Sequence, residues 1–154
     1  MIICKKAQLE DLELLAFSIA RINGSNVMTR PEMMEYLDHM YYLYNTDFRM
    51  IVGIIYGRRE VRREDVFDPL QSVMISTKHY DIKCIDYLEG SDEDIINLVR
   101  EFLADKNDFP TFYKVNETDE KIIKALRSND FKYLPGSKTY MRIPIPNTSM
   151  VRFN

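Results

Sequence analysis

Ile82-Lys83-Cys84-Ile85-Asp86-Tyr87-Leu88-Glu89-Gly90-Ser91-Asp92-Glu93-Asp94 carries two kinds of pattern back to back. Ile82 to Leu88 is rich in β-formers and predicts a strand. Gly90-Ser91 breaks it. The three acids that follow suit the positive end of an N-capped helix. Ile95, Leu98, Val99, Phe102 and Leu103 then recur at helical spacing and predict the buried face of that helix. A strand running straight into an amphipathic helix points to an α/β layer with the strands in the centre.

Outward from there the same two periods alternate. Met1 to Lys6 predicts a first strand. Leu12, Leu15, Ala16, Ile19 and Ile22 mark a helix over 8–22, closed by Asn23-Gly24. Thr29-Arg30-Pro31-Glu32 is a capping box with proline in the first turn. It predicts a second helix whose stripe runs through Met33, Leu37, Met40, Tyr41 and Tyr44. Phe48 to Tyr56 and Ser72 to His79 are β-rich, and the charged stretch from Gly57 to Pro69 between them is expected to be a connection. Phe109 to Val115 predicts a further strand. Thr118 is positioned to cap a short helix reaching Ser128, with Phe131 to Leu134 and Lys138 to Ile143 as closing strands. The expected order is βαα-βββ-α-β-α-ββ, in a domain over 1–143 with an extended tail over 144–154.

Composition bounds the function. The 154 residues are 45% apolar and 29% charged with net charge −3, enough for one buried core and too evenly mixed for a disordered or low-complexity chain. The longest apolar run, Met50 to Ile55, falls far short of the ~20 residues of a membrane span, so no membrane contact is expected. The opening Met-Ile-Ile-Cys-Lys-Lys runs opposite to a signal peptide. With only Cys4 and Cys84, both in apolar runs, the expectation is two buried free thiols and a cytoplasmic protein. The slight negative charge gives no footprint for general nucleic-acid binding.

Ile3-Cys4-Lys5-Lys6-Ala7-Gln8-Leu9-Glu10-Asp11-Leu12 and the closing Tyr140-Met141-Arg142-Ile143 complete a pattern that resembles the GCN5-related N-acetyltransferase (GNAT) superfamily. The resemblance spans residues 1 to about 143 and implies a central mixed β-sheet flanked by helices. It further implies acetyl-CoA as cofactor and transfer of its acetyl group to an amine. That chemistry needs three things: a phosphate loop, an acid and a base. The family's phosphate loop, Gln/Arg-x-x-Gly-x-Gly/Ala, is represented only by Leu88-Glu89-Gly90-Ser91-Asp92, which has one glycine, no basic residue and carboxylates where phosphates would lie. The family's tyrosine acid on the fourth helix corresponds to Leu126, its asparagine to Asp119, and the glycine before Phe131 to Asp130. Tyr133 or Tyr140 on the closing strands could replace the acid. The candidate general base is Asp86, with Glu89 as the other carboxylate. Alternation sets Asp86 beside Ile82, Cys84 and Leu88 on an apolar face, where burial raises a carboxyl pKa.

Two functions therefore stand open. One is a non-catalytic interaction or structural module within an assembly, with a degenerate site and no cofactor. The other is an acetyl-CoA-dependent N-acetyltransferase acting on an amine of a small molecule or protein, with Asp86 and Tyr133 as catalytic groups. Leu88, Gly90, Ser91 and Asp92 would then hold the cofactor. A protein partner or a second copy is expected to contact Met33, Met34 and Tyr41, or the tail through Phe153. A tail folded back on its own domain is the other possibility. Arg58 to Asp65 mixes four arginines with three carboxylates and is expected to be self-neutralising rather than a nucleic-acid patch. Glu35 and His39 lie one helical turn apart with no second histidine at metal spacing, so no metal is expected there.

Overall fold

The computed structural model describes residues 1–68, 71–115 and 119–144, with side chains described for 1–61, 78–115 and 119–144. The tail beyond 144 with Phe153, the Thr118 cap and the side chains of the second arginine pair lie outside these residues. β1 (Ile2–Lys6) leads through a short 3-10 turn to α1 (Leu12–Asn23) and α2 (Arg30–Tyr36). Three consecutive strands follow, β2 (Met40–Asn45), β3 (Met50–Asp68) and β4 (Gln71–Tyr87). Then come α3 (Asp92–Leu103), β5 (Thr111–Lys114), α4 (Glu120–Ser128), β6 (Lys132–Leu134) and β7 (Thr139–Arg142). The seven strands form one sheet in the order β1-β2-β3-β4-β5-β7-β6. Among the described strands, β4 and β5 run parallel and the other pairs run antiparallel.

The predicted order of elements is the observed one, but its middle is built from other residues. Met40–Asn45 is a strand, not the end of the second helix. Thr29 caps α2 as expected, its hydroxyl accepting from Glu32 N–H and its own N–H donating to Glu32. The helix stops at Tyr36, and Met-Tyr-Tyr-Leu-Tyr-Asn inserts between β1 and β3. A strand buried on both faces shows no alternation, so its continuous apolar run can be mistaken for a helical stripe. Met33 (1% exposed) and Tyr41 (8%) are consequently core residues, while Met34 (48%) is at the surface. The expected partner contact through Met33 and Tyr41 is corrected accordingly.

The two strands expected at Ser72–His79 and Ile82–Leu88 are one, β4, which ends at Tyr87, and the charged connection from Gly57 is the continuation of β3. Beyond Tyr56, where β2 ends its pairing, β3 and β4 run on together as a two-stranded arm from Gly57↔Ile82 to Asp68↔Gln71.

Two cores flank the sheet. On one face α1 and α2 bury Leu12, Leu15, Ile19 and Met33 against Met40, Tyr42, Ile51 and Ile54. On the other, α3 and α4 bury Leu98, Phe102 and Leu126 against Leu43, Val52, Ile55, Ile82 and Ile85.

Candidate functional site

β4 and β5 pair only over Tyr80↔Thr111, Asp81↔Phe112 and Ile82↔Tyr113, yet β4 continues to Tyr87. Its last five residues keep β3 on one flank, with Ile55↔Ile85 and Gly53↔Tyr87. The other flank opens onto a splay between the two parallel strands, in front of α3 and α4. In open α/β sheets, ligands bind beyond the carboxyl ends of the strands.

The chain's own side chains enter this splay. The Tyr113 hydroxyl takes the backbone N–H of Ile85, and burial pushes the phenol up to about 12. The Tyr87 hydroxyl donates to both oxygens of Asp119, at 3.0 and 3.1 Å. Burial first and that carboxylate second push Tyr87 up to about 12 as well. Asp119 is also the N-cap of α4, accepting from Lys121 N–H and Ile122 N–H. Lys121 Nζ reaches over the Tyr87 ring to donate to the Gly90 carbonyl at 2.7 Å. Lys124 pairs with Asp92 at 2.9 Å. α4 is thus fastened to the end of β4 through Asp119 and across the start of α3 through Lys121 and Lys124.

The N-terminus of α3 is likewise occupied from within. Ser91 Oγ accepts from Asp94 N–H, and the Asp94 carboxylate accepts from Ser91 N–H. Asp92, Glu93 and Asp94 fill the first turn. The reciprocal cap engages the N–H groups of Ser91 and Asp94, and the first-turn carboxylates oppose an anion there by like charge.

The predicted site residues fall in different places. Asp86 sits opposite Ile54, and one of its oxygens accepts from Tyr87 N–H. It does not share a face with Ile82. The register slips between Tyr56 and Gly57, whose partners are Cys84 and Ile82. Lys83 is the extra residue of a β-bulge, which turns Ile82 toward α3 and Cys84 toward α1. Leu88 and Gly90–Asp92 follow directly at the mouth of the splay. Glu89 is tied by Asn45, whose amide donates to its carboxylate at 3.2 Å. Tyr133 is half exposed on the edge strand β6 and stacks on Tyr140 at 5.2 Å. With β5 and β7 between them, it is not brought to Asp86. Leu126 is wholly buried, and Asp130 holds the left-handed turn (φ 68°) expected of that position. The sequence reading missed Tyr113, Tyr87, Asp119 and Lys121 as a set. Their only signal was a tyrosine on each parallel strand and an acid at a helix cap.

Both cysteines are half-buried free thiols, pushed up by burial to about 12 for Cys4 and about 11 for Cys84. Neither is a nucleophile near neutral pH. Among the described residues no helix is long and apolar enough to cross a membrane.

No family model matches the sequence, and no curated protein matches it either. Solved structures do. An N-acetyltransferase from Staphylococcus aureus Mu50 superposes with TM-score 0.60 at 11% identity, covering 93% of this chain and 97% of that one. Naa50 of Arabidopsis thaliana, in complex with the bisubstrate analogue CoA-Ac-MVNAL, gives 0.57 at 13% identity over 91% and 95%. A GNAT-family acetyltransferase from Bacillus cereus ATCC 10987 gives 0.56 at 12% over 94% and 99%. The chain has the fold of the GNAT acetyltransferases.

Proposed function

We propose that this GNAT-fold chain is a non-catalytic interaction module whose own side chains fill the place of an acyl-CoA. The observation that carries this reading is the Tyr113 hydroxyl reaching across the splay to the Ile85 backbone. Tyr113 takes a backbone donor of β4, Tyr87 and Asp119 close the far end, and Lys121 is spent on Gly90. The cations nearest the start of α3 are therefore committed to protein groups. The surface offered to a protein partner lies on the opposite helices. Leu14, Phe17, Val27 and Met34 are exposed there, and Phe17, Val27 and Met33 line an apolar groove of about 400 Å³.

Calorimetric titration with acetyl-CoA tests the first half. The expected result is no heat of binding at millimolar ligand, and micromolar affinity overturns the reading. Phe17→Glu tests the second half. It is expected to lower self-association or partner capture, read by light scattering, without lowering the melting temperature.

One observation favours the catalytic alternative, an N-acetyltransferase acting on an amine. The flank of β4 at 83–87 is unpaired by β5, as it would need to be for a cofactor to lie along it. In that reading Asp86 remains the base, and Tyr113 replaces Tyr133 as the acid because it stands in the splay. The coenzyme-A analogue in the Naa50 structure supports this class of ligand for the fold.

A further inference from the structure

Glu60, His79 and Asp81 converge at the base of the β3–β4 arm, each offering one donor atom within 4.8 Å of the others. We propose that these three side chains form a zinc-binding site, independent of the acyl-CoA splay. The ladder itself sets the geometry. Glu60 lies directly opposite His79, and Asp81 follows two residues along the same strand, so all three project from one face. His79 Nε2 is 3.3 Å from Asp81 Oδ2 and 3.7 Å from Glu60 Oε2. Donors around one tetrahedral zinc, with bonds of about 2.0–2.2 Å, lie roughly 3.3–3.6 Å apart. The ring is buried and held edge-on by Phe112, with centroids 5.3 Å apart, so its direction is fixed before any ion arrives.

A zinc ion would take Glu60 Oε2, Asp81 Oδ2 and His79 Nε2, two negative charges set against one dication. The cations already present use the other oxygen. Arg58 Nε and Lys83 Nζ both contact Glu60 Oε1, at 2.8 and 2.9 Å. They leave Oε2 facing the histidine, although Lys83 also approaches Asp81 Oδ2 at 3.6 Å. Lys83 is therefore the competitor, and it tempers affinity. One imidazole with two carboxylates suits zinc or cobalt better than magnesium or calcium, which take all-oxygen sets. A fourth position would remain for water or another ligand. Glu60 also lines a cavity of about 650 Å³ with Glu35, Asp38, His39 and Arg58.

Titration of the metal-free full-length protein with zinc chloride, followed by cobalt substitution, tests the proposal. One equivalent of zinc should bind, and cobalt should show the intense visible bands of a four-coordinate site. His79→Ala should weaken binding by about 100-fold or more, since loss of a ligand exceeds the 10–100-fold cost of losing a ligand's outer partner. Asp81→Asn, nearly isosteric and kept as a second variant should His79→Ala fold poorly, should weaken it as well. Lys83→Met should tighten it. Absence of one-to-one binding overturns the proposal. So does binding that survives both ligand variants, which would place the metal on Cys4, Cys84 or His39.

Discussion

Lys106 is wholly buried, an uncommon state for a lysine. Its ammonium donates to the Phe102 carbonyl at 2.7 Å and to Asp105 at 2.9 Å. Three rings surround it, Phe102 at 4.1 Å, Tyr80 at 5.6 Å and Tyr41 at 5.8 Å from centroid to nitrogen. Cation–π attraction offsets part of the desolvation cost, yet burial still pulls the group below its ordinary 10.5. Between the folded and unfolded values, the unfolded chain holds the proton more tightly, so stability rises with pH across that window. Lys106→Met should abolish this rise. Urea midpoints of the two proteins should therefore converge, or cross in favour of lysine, as pH climbs from neutrality toward 10.5. A gap independent of pH would show that the ammonium is not desolvated. None of this was legible in Ala104-Asp105-Lys106-Asn107, a polar run after a helix that resembles any solvated turn. The same holds for the proposed zinc ligands: His79 and Asp81 are two apart in sequence, but Glu60 joins them only through the ladder.

At the scale of elements, the bulge at Lys83 decides which face each β4 side chain occupies, and Gly57 makes it possible. A Cβ at Gly57 would lie 2.2 Å from the Asp81 carbonyl oxygen and 2.9 Å from Ile82 Cα, both backbone atoms that cannot swing away. Gly57→Ala should destabilise the fold by about 3 kcal/mol, the upper range for overpacking, read from urea unfolding. By contrast, Gly53→Ala meets only the Leu43 side chain, which can change rotamer, and should cost less. The capping box of α2 was legible because its chemistry is local: Thr29 and Glu32 satisfy two backbone groups within four residues. The strand at Met40–Asn45 was not, because the sheet neighbours that make it a strand lie elsewhere in the chain. Alternation in β4 failed for a related reason. A single extra residue reverses the parity of every side chain before it, and nothing in Ile82-Lys83-Cys84 announces the slip.

For the molecule as a whole, topology was more legible than its parts. The three-strand middle was predicted in the right number from partly wrong segments, since one strand taken for helix balanced one strand counted twice. Global stability should be sensitive to alkali. Cys4 and Cys84 are raised from 9.0, and Tyr87 and Tyr113 from 10.0, each by burial first. For these acids the protonated form is favoured by folding, so their contribution is complete below the unfolded values and is lost as pH rises through the folded ones. Far-UV circular dichroism should show unfolding that begins near 9 and is complete by about 12. Replacing both cysteines by alanine should delay its onset, and an unchanged onset would assign alkaline unfolding to other groups.

The arm has an engineering consequence. Past Tyr56 the hairpin no longer borders β2, and past Tyr80 toward its tip it no longer borders β5. The ladder there is held in register by its own two strands, as in a ribbon stitched to a cloth at one end. The length of that ribbon is then a free variable of the chain. Joining Val61 to Lys78, opposite each other in the ladder, by a two-residue Asn-Gly turn should give a shorter protein with the same domain and the same Glu60–His79–Asp81 face.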